Sequence, residues 1–498
     1  MHKYPNYQFL SQNQNSIFDN NLLTIIIYIL YSNYKFIKIK LRCEMLNNYI
    51  FRIVLTIFTF NLMAFNSNAQ SIEYSISKGL NNSNSLSASS LEWASLREKL
   101  NQSSAGKEIT GTLRGSFSET YSGSDGDYNN SFSNSITATL SKKLYDGGVA
   151  KSSEEISSLK IDQKTIQIKI LEQKVILEII NSHLNVFLSQ KIRELREKNY
   201  LRLKEQVVAN KARFLAGAIN KTILAESEAR YARANSQLIE ASLTLSNSIE
   251  QYMSLVGETP QNLVLPSEIN NIPRNQEDAL LRTEKYSLNI ALAKLDIALN
   301  KAQYNSLLSS VMPNITTSLS GSVSESTRLG NSDGLTLSLS LSSPIFYTPA
   351  TSSKNREIVA LAKALNFNLD EITKLTNLKV KLKINDVASK SSIIIAVQEE
   401  LNAAKIAAEA TLKENQFGAK TTLDVLDSEF NVLNSEISLW RAKSDFIRSS
   451  YELLAEIGEL HTQSLGLTPS APQYKTIEII APPLPSPFSV INPNKWIN

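Results

Sequence analysis

The residues of this chain that could do covalent chemistry are few and scattered. Cys43 is the only cysteine, and His2, His183 and His461, the only histidines, are far apart in sequence. No thiol nucleophile, histidine cluster or Gly-rich lysine loop can be assembled from them, so the pattern offers neither an enzyme nor a cofactor site. An isolated histidine in a helical stretch, such as His183, reads as a packing or surface residue rather than a metal ligand. The constellation with a usable spacing is acidic. Asp424 and Asp427, three residues apart, put two carboxylates on one helix face shortly after Gly418. Such a pair can act on cations through its field alone. Taken by itself it reads first as a solvated face near a helix N-terminus, where carboxylates are favoured.

The elements that carry these carboxylates belong to an internal duplication. Gly217 and Gly257 are 40 residues apart, as are Gly418 and Gly458, and the second pair repeats the first at an offset of 201. At that offset Leu144-Tyr145 falls on Ile345-Phe346 at a strand end, and Ser227-Glu228 falls on Ser428-Glu429. Gly115 to Glu119 matches Gly321 to Glu325 at offset 206, which predicts a first hairpin with a loop five residues longer. Residues 149–216 and 350–417 contain no glycine or proline. Each can form a helix roughly 100 Å long. Ile161, Ile168, Leu171, Val175, Ile179 and Val186 make a narrow apolar stripe of coiled-coil type along the first. Shorter break-free stretches, 218–256 and 419–457, follow Gly217 and Gly418, which are expected to turn the chain back in a left-handed conformation. These are too short to run beside their partners for the whole length. Residues 276–310 are expected to complete the return in the first half, and 72–105 in the second.

Two hairpins, 111–141 and 313–343, precede the long helices. In Leu335-Thr336-Leu337-Ser338-Leu339-Ser340-Leu341 leucine alternates with hydroxyl residues, and 132–140 and 315–323 alternate in the same way. One face is apolar and the other wet. That pattern fits a transmembrane β-barrel with lipid outside and water inside, and equally an amphipathic sheet packed on helices. Chain arithmetic separates the two. Four strands cannot close a barrel, and an open edge in lipid leaves backbone groups unpaired at several kcal/mol each. Three copies would supply a 12-stranded barrel and bury the helical stripes as well.

Composition sets the remaining bounds. A net charge of +4 gives no basic stripe for nucleic acid. Residues 1–69 read as an extension followed by a secretory signal from Met45, with Arg52, the apolar run 53–65 and small residues before Gln70. The first repeat then covers 70–260, a linker with Pro266 and Pro273 covers 261–275, the second repeat covers 276–460, and a Pro-rich tail covers 461–498.

Four segments resemble the TolC family of outer-membrane channels, over about 71–467. Leu144-Tyr145-Asp146-Gly147-Gly148 is similar to the family's strand-to-helix junction, and Met312-Pro313-Asn314 to the start of its second hairpin. Gly418 to Asp427 resembles the periplasmic turn of the second half. Gly458-Glu459-Leu460 with Ser464 to Leu467 resembles the end of the last helix in members that serve type I secretion. The resemblance implies an α+β membrane protein, a homotrimer with a β-barrel in the outer membrane and a coiled-coil helical barrel in the periplasm. It implies a passive exit duct for type I protein secretion or multidrug efflux. Its partners would be a periplasmic adaptor (membrane fusion protein), an inner-membrane ABC or proton-driven pump, and outer-membrane lipid. It also implies that Asp424 and Asp427 line the narrow periplasmic mouth, with Gly217, Thr222, Gly418 and Lys420 in the periplasmic turns. The first turn departs from the family, because Thr222 is followed by Ile223 where an acidic residue is common. A coiled-coil filament or surface adhesin is the main alternative, and a periplasmic adaptor a third, but neither explains two hairpins in a duplicated frame.

Overall fold

The computed structural model describes residues 70–467, apart from 107, 125, 126, 267, 268, 270 and 274. The expected signal segment and most of the Pro-rich tail lie outside these described residues. In chain order the elements are α1 (Ile72–Asn82), α2 (Asn84–Ala105), β1 (Thr110–Ser124), β2 (Asp127–Tyr145), α3 (Val149–Leu215), α4 (Lys221–Val256), α5 (Gln276–Tyr286), α6 (Leu288–Ser310), β3 (Asn314–Ser326), β4 (Gly330–Ser342), α7 (Pro349–Gln416) and α8 (Thr422–Ile457).

The long helices form where glycine and proline are absent. α3 has 67 residues and α7 has 68, each about 100 Å at 1.5 Å per residue. α7 begins with Pro349 in its first turn and with Thr348 as cap, whose hydroxyl accepts from the Thr351 amide at 3.2 Å. The main core lies partway along α3, where the stripe residues Val175, Ile179 and Val186 join Ile72, Ile76, Tyr252, Leu454 and Leu460. Leu171 packs at its edge, while Ile161 and Ile168 are only half-buried. Further toward Gly217 the core thins to small clusters such as Leu195 with Leu433 and Ile437.

The return helices differ from expectation in two ways. Each is broken, at Ser83 and at Ser287, because these serines adopt extended backbone and turn their hydroxyls onto the amides of Leu86 and Ile290 as N-caps of the following helix. Their assignment is also exchanged. Gly257, at the end of α4, meets Asn82 at the end of α1, and α2 packs along α3. Gly458, at the end of α8, meets Tyr286 and Ser287, and α6 packs along α7 as well as α3. An antiparallel hairpin returns the chain beside the helix that led into it, so each half is completed by the helix that precedes its own hairpin. The linker carries the chain across between the halves.

The strands form one antiparallel sheet in the order β1-β2-β3-β4, with β1 and β4 as open edges. Pairing in the first hairpin runs from Thr110↔Ser141 to Ser124↔Asp127. The extra residues of the first hairpin therefore lengthen the ladder instead of the loop, since continued pairing satisfies backbone groups that a loop would leave to solvent. Ile345 and Phe346 lie beyond β4, not at its end. Pro344 intervenes, and proline cannot donate to a ladder.

The registers align the leucines. Gly111, Leu140, Leu319 and Leu337 form one row, and Leu113, Ala138, Gly321 and Leu335 the next on that face. No helix covers them. Leu335, Leu337, Leu339 and Leu341 remain 71–76% exposed, which removes the alternative of a sheet packed on its own helices.

Candidate functional site

The turns that carry the acidic pair are built alike. Gly217 and Gly418 have φ of +74° and +79°, open space where a Cβ would sit, and a following amide that bonds back five residues, Ala218 to the Arg213 carbonyl and Ala419 to that of Glu414. This is a left-handed C-terminal cap, and it reverses the chain. After it Asn220 caps α4, accepting from the Ile223 amide at 3.0 Å. Thr421 caps α8 in a reciprocal box with Asp424. Thr222 sits in the first turn of α4, exposed and two residues past the capping Asn220. Lys420 is exposed, and its carbonyl accepts from the Asn415 side-chain amide at 2.7 Å.

Asp424 and Asp427 lie one turn apart at the start of α8 but face different partners. The Asp424 carboxylate accepts from the amide and the hydroxyl of Thr421, both at 2.8 Å. These bonds, with Lys420 nearby, hold its carboxyl below the usual range. Asp427 is gripped by Arg230 of α4 through two bonds of 2.5 and 3.1 Å, the forked geometry in which guanidinium and carboxylate match best. Arg202 of α3 reaches Glu429 at 3.1 Å. Both bridges border a cleft of 390 Å³ between α3, α4 and α8. Arg230 was not legible in the sequence. It lies 197 residues from Asp427, and at the repeat offset its counterpart is Asn431.

The strand-to-helix junction is a fitted joint. Asp146 accepts from the Gly148 and Ala150 amides at 2.9 and 2.7 Å, capping α3 where Gly148, at φ +93°, offers no side chain. Gly147 has φ of +69°, and a Cβ there would stand 2.7 Å from the Ser309 carbonyl and from Met312.

His183 is fully buried. Its Nε2 stands 3.1 Å from the Val264 carbonyl, so it carries the proton, and Nδ1 accepts from Ser75 at 2.8 Å. The Tyr252 hydroxyl completes the network on Ser75 at 2.8 Å. Among the described residues no group of side chains could hold a metal ion. Burial pushes the His183 pKa below its ordinary value. Below about pH 6.5 the unfolded chain therefore binds a proton that the folded chain refuses. Stability contributed by neutral His183 should be complete above that pH and fall as the pH drops toward the depressed value, by at most about 1.4 kcal/mol per unit. Melting temperatures at pH 7.5 and 5.5 should diverge less in His183→Gln than in the parent.

Residues 282–459 match the family model described as outer membrane efflux protein. The chain is 24% identical over 344 residues to the outer membrane efflux protein BepC of Brucella suis, covering 68% of this chain and 75% of that one. It is also 24% identical over 374 residues to the alkaline protease secretion protein AprF of Pseudomonas aeruginosa, covering 72% and 74%. Among solved structures, the Campylobacter jejuni CmeC outer membrane channel superposes with a TM-score of 0.64 at 16% identity, covering 79% of this chain and 88% of that one. That likeness concerns the fold. The family is one of channel proteins, not enzymes.

Proposed function

We propose that the chain is a member of the outer membrane efflux protein family, which its second half matches, and that it is the outer-membrane exit duct of a tripartite export system. Three copies close their sheets edge to edge into a 12-stranded barrel, and the long helices form a periplasmic barrel that meets an adaptor and an inner-membrane pump. The observation that carries this proposal is the sheet itself. Its leucine face is uncovered and both edges are unpaired, an arrangement tolerable in lipid only if the sheet is closed by further copies. No helix among the described residues is long and apolar enough to cross a membrane. BepC is named for efflux and AprF for protease secretion, so both classes of passenger stay within the proposal.

The periplasmic mouth lies at the turns of Gly217 and Gly418, with Asp424 and Asp427 around its axis. Threefold symmetry multiplies the carboxylates, and a low-dielectric wall strengthens their field. Arg230 offsets part of that charge. In planar-bilayer recordings the parent should prefer cations and be blocked by multivalent cations from the periplasmic side. The Asp424→Ala/Asp427→Ala variant should lose both properties while remaining a trimer, and Arg230→Ala should strengthen both by freeing Asp427. Unchanged block and selectivity in the double variant would move the constriction elsewhere.

A further inference from the structure

The face of the sheet opposite the leucines has a composition that the duplication does not demand. Across 110–123, 130–143, 314–326 and 330–342 it consists of Ser and Thr with Asn314, Gly330 and Gly334, and with two charged exceptions, Arg114 and Lys143. The carboxylates of these same positions, Glu119, Glu325 and Asp333, all fall on the leucine face. Arg114 stands in a row with Thr137, Ser322 and Gly334. The neighbouring rows on that face contain only hydroxyls: Thr112, Thr139, Ser320 and Thr336 on one side, Ser116, Ser135, Ser324 and Ser332 on the other. Some of these hydroxyls bond one another across strands, Ser116 to Ser135 at 2.7 Å and Thr110 to Ser141 at 2.9 Å. The wall is polar, uncharged and partly self-satisfied. Within these ranges a cation set into the wall meets no carboxylate on its own face; by register the next on that face is Asp127, ten residues from Thr137 and about 33 Å along the strand.

We propose that Arg114 is the specificity-determining charge of the membrane lumen, and that it makes this section of the duct favour anions and acidic passengers. The inference rests on the trimeric barrel proposed above. Twelve strands about 4.8 Å apart and tilted about 40° place the backbone about 12 Å from the axis. An extended arginine reaching about half that distance leaves its guanidinium within one Debye length of the centre, ~10 Å at 0.1 M salt. Three such charges cover the whole cross-section. Rings of Arg or Lys are the device by which pores favour anions. Lys143 is six residues nearer the helices, about 20 Å along the strand, so screening separates its field from that of Arg114. The sign is opposite to that of the acidic mouth. A passenger therefore meets the carboxylates of the mouth before it meets the cationic ring.

Because mouth and lumen act in series, the test neutralises the mouth first. Reversal potentials under a KCl gradient should show the Asp424→Asn/Asp427→Asn channel preferring chloride over potassium. Adding Lys143→Gln should leave that preference in place, and Arg114→Gln on top of it should bring the permeability ratio to about 1, as expected when the focusing charge is gone. Arg114→Lys should keep the preference, and Thr137→Arg, in the same row, should restore it in the Arg114→Gln channel. Poly-L-glutamate added on the hairpin-tip side should block the parent and spare Arg114→Gln, whereas Glu119→Gln, on the opposite face, should remain sensitive. A chloride preference that survives Arg114→Gln, or that never appears once the mouth is neutral, overturns the proposal and leaves the duct intact. Failure of the parent to form any channel overturns the duct function, and the role of Arg114 with it.

Discussion

Arginine at Leu337 is expected to destabilise the assembled barrel by about 2–4 kcal/mol and to deplete trimers from the outer membrane. The leucine stands in a row with Leu140 and Leu319 on the uncovered face, 76% exposed. A guanidinium there would have to enter hydrocarbon or drag water with it. The adjacent Ser338 points to the other face, so Ser338→Arg should assemble at parental levels. Urea titration of membrane-inserted protein, read by loss of the heat-stable trimer, measures both. Equal tolerance of the two arginines would mean that the leucine face meets water or protein instead of lipid.

Gly458→Ala is expected to produce the largest loss at any helix end, about 2–5 kcal/mol, from left-handed backbone strain together with overpacking. Gly458 has φ of +96°, and an added Cβ would lie 2.2 Å from the Tyr286 carbonyl oxygen, a backbone atom that cannot swing aside. Gly418 has nearly the same handedness, φ +79°, with nothing within 4 Å. Alanine there should cost only the strain of the turn, about 1–2 kcal/mol. Thermal unfolding followed by helical circular dichroism should therefore rank Gly458→Ala well below Gly418→Ala. Equal melting temperatures would deny that the α8 end is wedged against the α5–α6 break.

Much of the architecture was legible because it is written in what is missing. Long runs without glycine or proline gave α3 and α7, and alternation of leucine with hydroxyl gave the strands, since both signals are local and periodic. The breaks at Ser83 and Ser287 were not visible. A serine interrupts a helix only when its hydroxyl captures a nearby amide, and no periodicity records that choice. The exchange of the two return helices is a matter of which surface each helix meets, and helix 276–310 has the same length and composition wherever it packs. After the Gly418 turn the spacing of Asp424 and Asp427 showed a shared helix face. It could not show that Asp424 is turned back onto Thr421, or that Arg230 holds Asp427 from the other repeat, because ion pairs between distant segments leave no mark on either one. The hydroxyl face was plain in the sequence, but Arg114 became conspicuous only when register set it in a row with Thr137 and Ser322.

The claim on which everything else depends is that the open edges of one sheet are closed by two further copies. It is tested most directly by placing one cysteine along β1 and one along β4, scanning several pairs, and oxidising intact outer membranes. Closure predicts a disulfide ladder that ends at three chains, formed only by pairs on matching faces. A ladder that stops at two or continues past three, or edges that never cross-link in the membrane, would contradict it.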